Sequence, residues 1–238
     1  MDGTRTYLVG GEQVALIDPG PDEDNHIRAL SAATESARAI RIVLTHRHSD
    51  HAGGAVRIAQ EVGALVLGPP SCRPHEDTGL DFQSLREGDR VFTDAGSLTV
   101  VEIPGHTQDH LAYHWERADA LFVGDLLLGK GNTTWIGEYL GCVEDYLNSL
   151  EKVRTLGPEV VYPGHGPAIT SPSSTLAIFR RHRLRRLEQV RRARLEHPAA
   201  TPDELAAIIY GGEIPEKLAK AARAGVEAAL FHLDRPRE

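Results

Sequence analysis

Three histidines and one aspartate fall within six residues of one another, directly after an apolar stretch rich in β-branched side chains. Residues 40–45 predict a strand, because Ile, Val and Thr are frequent in them. A Gly-Gly pair and a helical pattern come next, so the polar set lies in a sharp turn between a strand and a helix. This order predicts an α/β fold with its polar motifs at strand ends. The polar side chains are His46, His48, Asp50 and His51.

The turn has the chemistry of a metal site. Side chains two residues apart in a loop can point at one cation, while Asp50 and His51 point at a neighbouring one. The two cysteines, Cys72 and Cys142, form no C-x-x-C pair, so neither thiolate ligands nor a disulfide framework is indicated. Nitrogen and oxygen ligands predict zinc, with iron or manganese as alternatives. A solvated loop would explain one histidine but not this spacing.

Three further segments place a polar residue after a predicted strand and a glycine. They contain His106, Asp125 and His165. Each residue alone has an ordinary explanation as a turn cap or a loop acid, but together they supply the ligands that two cations need beyond the first turn. Asp18 also follows a predicted strand, and an Asx turn accounts for it as well as chemistry does.

Hydrophobic patterning divides the chain into strands and helices. Strands are predicted at residues 7–9, 14–17, 40–45, 64–67, 98–103, 111–115, 120–123 and 160–162. Helices are predicted at residues 24–36, 56–62 and 143–156, and a loop is predicted at residues 68–88. Strand-rich segments broken by helices in both halves predict two sheets that are covered on the outside by helices.

The C-terminal part has helical patterning and many arginines. One helix has an apolar stripe formed by Leu176, Phe179, Leu187 and Val190. Its other faces are predicted to carry Arg180, Arg181, Arg183, Arg185, Arg186, Arg191, Arg192 and Arg194. A capping box at Thr201 starts a second helix, and a third runs from Pro215 to about Leu233. We therefore predict a metal-binding domain over residues 1–172 and a small helical domain over residues 173–238.

Composition bounds the class of protein. The 238 residues include 26 Lys and Arg against 34 Asp and Glu, a formal charge of −8, which argues mildly against nucleic-acid binding. With 41% hydrophobic and 25% charged residues the chain can bury a core. Its apolar runs are shorter than the roughly 18 residues of a membrane span, and its start has no basic segment followed by an apolar one. We expect a soluble, cytoplasmic protein with no membrane partner.

The order of the motifs resembles the metallo-β-lactamase-fold hydrolases. The resemblance extends from residue 4 to about residue 170 and is carried by Thr45-His46-Arg47-His48-Ser49-Asp50-His51, Gly105-His106, Gly124-Asp125 and Gly164-His165-Gly166. It implies a four-layer αββα sandwich. It also implies that the first metal is held by His46, His48 and His106. The second metal would be held by Asp50, His51 and His165, and Asp125 would bridge the two.

Within that family the chain is most similar to the branch named β-lactamase-like protein 2. This similarity is carried by residues 3–10, 105–110, 146–150 and 162–167, and in the tail by His182-Arg183, Glu204-Leu205 and residues 208–210. It implies a winged-helix-like C-terminal appendage. Some members of the branch cut single-stranded RNA, and related fungal enzymes are thioesterases. Members usually have asparagine where Arg5 stands and a further segment before it, so we expect a missing first strand or a misassigned start codon.

The ligand set and the resemblance together predict a zinc-dependent hydrolase that uses a hydroxide bridging two divalent ions. The expected substrate is small or carrier-bound and is cleaved at an ester, thioester or lactone bond, in a cleft walled by residues 68–88 and 129–141. A single-strand endoribonuclease that binds RNA through the arginine helix is the alternative, and β-lactam hydrolysis is a weaker one. The oligomeric state is not predicted.

Three residues are predicted to act in catalysis beyond holding metal. Asp125 would keep the two ions together and orient the nucleophile, and Asp50 lies beside the second ion. His110, four residues after His106, is predicted either to donate a proton to the leaving group or to orient a ligand. The sequence leaves these two roles of His110 open.

Overall fold

The computed structural model describes residues 3–212 and 214–235. Residues 1–2 and 236–238, at the outer ends of the two predicted domains, lie outside the described residues, as does residue 213. Within the described ranges, ten strands form two five-stranded sheets, and helices cover the outer face of each sheet.

The first sheet is built by the N-terminal strands in chain order. β1 and β2 form an antiparallel hairpin, and the neighbours from β2 to β5 run parallel to one another. The carboxyl ends of these parallel strands meet at one edge of the sheet, where loops gather polar side chains. The strands are β1 (Tyr7–Val9), β2 (Gln13–Ile17), β3 (Ala39–Val43), β4 (Leu65–Gly68) and β5 (Phe82–Ser84).

The second sheet is mostly antiparallel, in the order β10-β9-β8-β7-β6. β10 pairs with β9 in parallel, so the ends of these two strands lie side by side. The Gly164 amide donates to the Gly124 carbonyl at 2.7 Å, just beyond the paired strands. The strands are β6 (Arg90–Thr93), β7 (Gly96–Glu102), β8 (Leu111–Trp115), β9 (Ala120–Gly124) and β10 (Val160–Pro163).

Amphipathic helices cover the outer face of the first sheet. Ile27 and Ile58, one from each of two helices, pack with Ile42 of β3, and all three side chains are fully buried. Gly63 ends the third helix in the left-handed conformation, with φ of 66°. The helices are α1 (Asp24–Ala33), α2 (Ser49–Ala52) and α3 (Ala55–Val62).

The inner faces of the two sheets pack on each other, and α4 (Cys142–Leu156) covers the outer face of the second sheet. Val43 of β3, Leu98 of β7 and Tyr113 of β8 belong to the apolar cluster between the sheets. Val143 of α4 packs with Leu121 of β9 on the other side. The layers therefore follow the order helix, sheet, sheet, helix, and the predicted four-layer αββα sandwich is confirmed.

Three C-terminal helices extend the outer core. They are α5 (Pro172–Glu196), α6 (Pro202–Tyr210) and α7 (Glu216–Asp234). Phe179 of α5, Leu205 of α6 and Val226 of α7 join the same apolar cluster as α4 and the outer face of the second sheet. The predicted capping box forms, because the Thr201 side chain accepts from the Glu204 amide and the Glu204 side chain accepts from the Thr201 amide.

Two local predictions were wrong. Arg183 was assigned to the exposed faces of α5, but it is 7% exposed, because it lies four residues from both Phe179 and Leu187 and so falls on the buried stripe. Residues 68–88 were assigned to a loop, but they contain two 3₁₀ turns and strand β5, which extends the first sheet. Backbone pairing with β4 stabilises this strand, although its sequence is short and polar.

The predicted boundary between residues 172 and 173 stays a prediction. It falls at the start of α5, whose apolar face packs in the cluster that contains α4. Among the helices of the described residues, none combines the length and the apolar character needed to cross a bilayer.

Candidate metal centre

Four loops that follow strands bring seven predicted ligands to one edge of the sandwich. The turn after β3 carries four of them, the β7–β8 loop carries His106, and Asp125 and His165 follow β9 and β10. The parallel pairing of β10 with β9 explains why Asp125 and His165 meet, although forty residues separate them in the sequence. The turn after β3 supplies His46, His48, Asp50 and His51.

Three imidazoles converge on one side of this edge, and we call them the three-histidine group: His46, His48 and His106. His48 Nδ1 lies 3.1 Å from His46 Nε2 and 3.0 Å from His106 Nε2. Their nitrogen atoms lie close enough for one ion to contact all three. Nitrogen ligands about 2.1 Å from a tetrahedral zinc ion would lie about 3.4 Å from each other, so this set fits a single cation.

A second set lies on the other side, and we call it the acidic group: Asp50, His51 and His165. Asp50 Oδ2 lies 3.2 Å from His165 Nε2 and 3.8 Å from His51 Nε2. His51 is fully buried, whereas the Asp50 side chain is 52% exposed. A carboxylate and two imidazoles are suitable ligands for a divalent cation, and their ligand atoms also lie close together.

Asp125 lies between the two groups. Its Oδ2 atom is 3.7 Å from His106 Nε2 in the three-histidine group and 3.6 Å from His165 Nε2 in the acidic group. Its Oδ1 atom is 3.5 Å from His51 Nε2. One carboxylate therefore contacts both sides of the centre.

The residues present fit a pair of cations. His51 Nε2 and Asp125 Oδ1 are buried and have no hydrogen-bond partner among the described residues. A buried polar atom without a partner is costly, and a cation beside both atoms would remove that cost. The donor set of imidazole nitrogens and carboxylate oxygens matches this need.

The ring nitrogens that face away from the centre are held by hydrogen bonds. Asp18 Oδ2 lies 2.8 Å from His51 Nδ1 and accepts from Thr45 Oγ1 at 2.7 Å. Thr45 Oγ1 in turn lies 2.9 Å from His46 Nδ1 and is able to accept from it. A proton on each Nδ1 leaves the Nε2 lone pairs for a metal, so Asp18 orients ligands of both groups.

Sequence reasoning left the role of Asp18 undecided. The residue is 2% exposed and has φ of 50°, a left-handed conformation that non-glycine residues adopt rarely. The Thr45 amide donates to its Oδ1 atom at 2.8 Å, and this bond links the ends of β2 and β3. A polar residue at a strand end before Pro-Gly was the available signal, but its partners lie 27 and 33 residues away.

Two glycines allow the strand ends to approach this closely. A Cβ atom on Gly164 would lie 2.4 Å from His51 Cε1 and 2.7 Å from Asp125 Oδ1. Gly124 has φ of 47°, and a Cβ there would lie 2.6 Å from Thr45 Oγ1. Larger residues at either position would push ligands of the centre apart.

The segment before β1 lies beside His165. His165 Nδ1 donates to the Gly3 carbonyl at 3.0 Å. The Arg5 amide donates to the Gly164 carbonyl at 2.7 Å, and Arg5 Nε donates to the Gly166 carbonyl at 3.2 Å. This segment therefore holds the loop that carries His165, whereas the expectation of a missing first strand stays untested.

The loop before α4 connects His106 to the C-terminal helices. His106 Nδ1 donates to the Trp135 carbonyl at 3.0 Å. Arg183 Nη2 of α5 donates to the Thr134 carbonyl at 2.9 Å, and Trp135 Nε1 donates to the Ala221 carbonyl of α7 at 3.1 Å. Sequence reasoning missed these contacts, because they join residues with no shared motif.

His110 lies under the centre and is fully buried. Its ring stacks on that of His46, with centroids 4.8 Å apart, and its Nε2 atom accepts from the Asp125 amide at 3.3 Å. Burial lowers its pKa well below the ordinary value, so the ring is neutral. This geometry favours the orienting role of His110 over proton donation.

The two groups have opposite electrostatics. Burial lowers the pKa of His46 and His106, and burial together with the neighbouring His106 lowers the pKa of His48 to about 4. Burial also acts to lower the pKa of His51, but the carboxylates of Asp18 and Asp125 outweigh it and raise that pKa to about 10. The hydrogen bond between Asp50 and His165 raises the pKa of His165 and lowers that of Asp50.

A cleft with a volume of about 340 Å³ opens beside the centre. Its lining includes His106, Asp125, Leu128, residues 133–136 and side chains of α5, α6 and α7. Residues 133–136 belong to a predicted wall. Residues 68–88, the other predicted wall, are absent from the described lining, because β5 holds this segment on the edge of the first sheet.

The arginines of α5 do not form one basic surface. Arg191 and Arg192 pair with Glu188 at 2.7 and 2.6 Å, and Arg194 pairs with Asp234 at 2.6 Å. These pairs lie on the exposed side of the helix. Of the eight predicted RNA-binding arginines, three are therefore in ion pairs, Arg183 is buried and Arg186 lines the cleft, while Arg180, Arg181 and Arg185 are exposed on the helix.

The fold and the site define a class of protein. The chain belongs to the metallo-beta-lactamase superfamily, whose sequence model matches residues 2–165. Residues 201–236 match the beta-lactamase associated winged helix domain. The chain is thus a metallo-beta-lactamase-fold hydrolase with a histidine and aspartate cluster that could hold metal ions.

Individual proteins are similar to this chain over nearly its whole length. A beta-lactamase-like protein 2 homolog of Caenorhabditis elegans is 31% identical over 239 residues, covering 98% of this chain and 79% of that relative. An atrochrysone carboxyl ACP thioesterase of Aspergillus chevalieri is 32% identical over 233 residues, covering 93% and 72%. The crystal structure of a metallo-beta-lactamase family protein from Thermus thermophilus superposes with a TM-score of 0.78 at 24% identity, covering 97% of this chain and 88% of that one, which shows a shared fold.

Proposed function

We propose that this chain is a hydrolase that depends on two divalent metal ions and cleaves an ester, thioester or lactone bond in a small or carrier-bound substrate. The three-histidine group would hold one ion and the acidic group the other, with Asp125 shared. Zinc suits these ligands first, and iron or manganese are the alternatives. A cytoplasmic location belongs to the same proposal.

The position of Asp125 carries the proposal. Its two oxygen atoms lie within 3.5 to 3.7 Å of ligand nitrogens from both groups. A single-ion site would not need a carboxylate in this position, since each group already offers three ligand atoms.

Bound cations would supply a water molecule of lowered pKa and a positive charge that polarises the scissile oxygen. The chain's own residues hold and orient that chemistry. Asp18 and Thr45 fix the rings of His46 and His51 from behind, and His110 accepts from the Asp125 amide. The half-exposed carboxylate of Asp50 lies where a substrate can reach it. No covalent enzyme intermediate is expected.

The substrate class is supported by two observations. The cleft beside Asp125 has a volume of about 340 Å³, which suits a small molecule or the end of a carrier-bound acyl group. A relative at 32% identity is named a carboxyl ACP thioesterase, so thioester cleavage is within reach of chains of this kind. The ion pairs that occupy Arg191, Arg192 and Arg194 disfavour RNA cleavage. β-Lactam hydrolysis rests on the name of the superfamily.

The experiment is a substrate panel with the full-length, metal-loaded protein. The panel contains a p-nitrophenyl ester, a thioester, a lactone, bis-p-nitrophenyl phosphate, an RNA oligomer and a β-lactam. We expect turnover of an ester, thioester or lactone. Asp125→Ala should reduce it by at least about 1000-fold while the melting temperature stays within a few degrees, because Asp125 acts through the metal centre.

Asp77→Ala is the matched control, because Asp77 is exposed and lies in a 3₁₀ turn away from the centre. It should keep wild-type turnover. Unchanged turnover in Asp125→Ala would contradict the proposal, and so would a protein that cleaves RNA alone.

A further inference from the structure

The cleft beside the centre has a positive end, and we call the whole space the arginine cleft. Besides His106 and Asp125, its lining includes His182, Arg183 and Arg186 of α5. Asp125 is the acidic residue among the described residues that line it. The proposed cations would neutralise that carboxylate, so within the described lining the positive charge of Arg183 and Arg186 is left uncompensated.

Arg183 is a buried guanidinium with no counter-ion among the described residues. It is 7% exposed, donates Nη2 to the Thr134 carbonyl at 2.9 Å and lies over the Tyr146 ring at 5.4 Å. Its Nε atom has no hydrogen-bond partner within residues 3–212 and 214–235, and no carboxylate of those residues pairs with it. A buried charge is stabilised when an opposite charge lies near it, and the described residues supply none.

Arg186, one helical turn further along α5, is half-buried and lies over the Tyr210 ring at 4.5 Å. In the described part of the chain it has no ion pair, in contrast to Arg191 and Arg192 on the same helix. Stacking fixes the plane of the guanidinium and leaves its N–H groups free to donate in the fork geometry that suits an oxyanion.

His182 completes this end of the cleft. Its Nδ1 atom is buried and has no hydrogen-bond partner among the residues that the structure describes. Three nitrogen-bearing side chains therefore border one space, and within the described residues His182 Nδ1 and Arg183 Nε have no hydrogen-bond partner. Such unsatisfied groups at the end of a concave site indicate a ligand rather than a structural contact.

We propose that the arginine cleft binds an oxyanion, a carboxylate or a phosphate, that the substrate carries at the end remote from the cleaved bond. Arg186 contacts the oxyanion directly, His182 hydrogen-bonds to it, and Arg183 adds positive charge while holding the Thr134 loop. This inference rests on the proposed function and narrows its substrate to anionic esters or thioesters. The small volume and the apolar side chains of Leu128, Ile136 and Val226 leave room for a short acyl or thiol part between the two ends.

The test compares esters that share a leaving group. Full-length, metal-loaded protein is assayed with p-nitrophenyl hydrogen glutarate and with its neutral counterpart, p-nitrophenyl pentanoate. We expect kcat/KM to favour the charged ester by about tenfold or more, because hydrogen bonds to charged groups are the stronger ones. A second pair of substrates places the anion on the leaving group instead. It compares kcat/KM for the acetyl thioester of 3-mercaptopropionate with kcat/KM for the neutral acetyl thioester of propanethiol.

Arg186→Gln should bring the ratio of the two kcat/KM values to about one, mainly by raising KM for the charged ester. Arg186→Lys should keep part of the preference. Arg181→Gln is the matched control, because Arg181 is exposed on the same helix and does not line the cleft. A wild-type protein without preference in either substrate pair would overturn the inference, and so would an unchanged preference in Arg186→Gln.

A binding measurement separates this inference from the proposed function. Isothermal titration calorimetry with glutarate, and separately with inorganic phosphate, should show binding to the wild-type protein and to Arg181→Gln, and weaker binding to Arg186→Gln. If no ester is cleaved but binding depends on Arg186, the proposed function fails and the oxyanion site stands. Equal binding by all three proteins overturns the inference. RNA oligomer binding that Arg181→Gln and Arg186→Gln weaken equally overturns it too, because that result indicates a polyanion surface.

Discussion

The three-histidine group and the acidic group share Asp125 and differ in how the chain prepares them. Burial lowers the pKa of His46, His48 and His106, so these rings are neutral at pH 7. In the acidic group, neighbouring carboxylates raise the pKa of His51 to about 10, so at pH 7 in the metal-free protein this ring is doubly protonated and positively charged. A metal needs the neutral imidazole, so the three-histidine group would bind a cation without losing protons, whereas the acidic group would have to release a proton to bind one.

The largest expected effect is the pH dependence of metal binding. For the acidic group, a His51 pKa of about 10 means that each unit of pH below it lowers the apparent affinity about tenfold per displaced proton. Between pH 8 and pH 6 the affinity of the acidic group for zinc should fall by at least about 100-fold, since the pKa of His165 in the same group is raised as well. The equivalent bound by the three-histidine group should change less than about threefold, because the pKa of His48, about 4, lies below this window.

Calorimetric titration of chelator-treated protein in buffers of different ionisation enthalpy measures the protons released with each equivalent. At least about one proton should leave with the equivalent bound by the acidic group, because the pKa values of both His51 and His165 are raised, and nearly none should leave with the other equivalent. Equal proton release by both equivalents would remove the distinction between the groups.

A smaller effect is expected from Asp18→Asn. This change weakens the alignment of His51, and it also removes a carboxylate that raises the pKa of His51, so fewer protons compete with the metal. The pH-independent affinity of the acidic group, obtained from titrations over a series of pH values, should therefore fall about 10- to 100-fold, and its dependence on pH should become weaker. The three-histidine group should lose less than about threefold, since Thr45 remains beside His46. Zinc titration against a competing chelator measures both affinities.

Asp22→Asn is the control, because Asp22 is a nearby carboxylate that pairs with Arg57 on the surface. It should leave both zinc affinities unchanged. A loss confined to the three-histidine group in Asp18→Asn would reverse the assignment.

The smallest effect is expected from Arg183→Met. Loss of the hydrogen bond to the Thr134 carbonyl loosens the loop whose Trp135 carbonyl orients His106. Zinc affinity of the three-histidine group should fall by about three- to tenfold, and that of the acidic group should not change. Arg181→Met serves as the control, and the same competition titration measures both variants. Weakening of the acidic group instead would show that the loop does not act through His106.

The positions of the candidate ligands were predictable because each lies next to a strand end. His46 to His51 follow β3 within one turn, and His106, Asp125 and His165 each follow a strand and a glycine. Periodicity located most helices for the same reason, since residues three and four apart share a face. Strand β5 was not predicted, because pairing with β4, rather than its own composition, stabilises it.

The residues behind the ligands were not predictable in the same way. Asp18 acts on His51 across 33 residues, and Arg183 acts on Thr134 across 49. The many charges of α5 predict that Arg183 is solvated. It is buried instead, because α5 packs so that this guanidinium lies over the Tyr146 ring. Long-range contacts of this kind depend on the packing of whole elements, which spacing alone does not specify.

The count of metal ions per chain tests the central claim most directly. Full-length protein saturated with zinc, freed of excess by gel filtration and analysed by plasma mass spectrometry should hold two ions per chain, whereas His106→Ala and His165→Ala should each hold about one. A wild-type protein that holds one ion or none, or two variants that both keep two, would contradict a centre built from two ligand groups around Asp125.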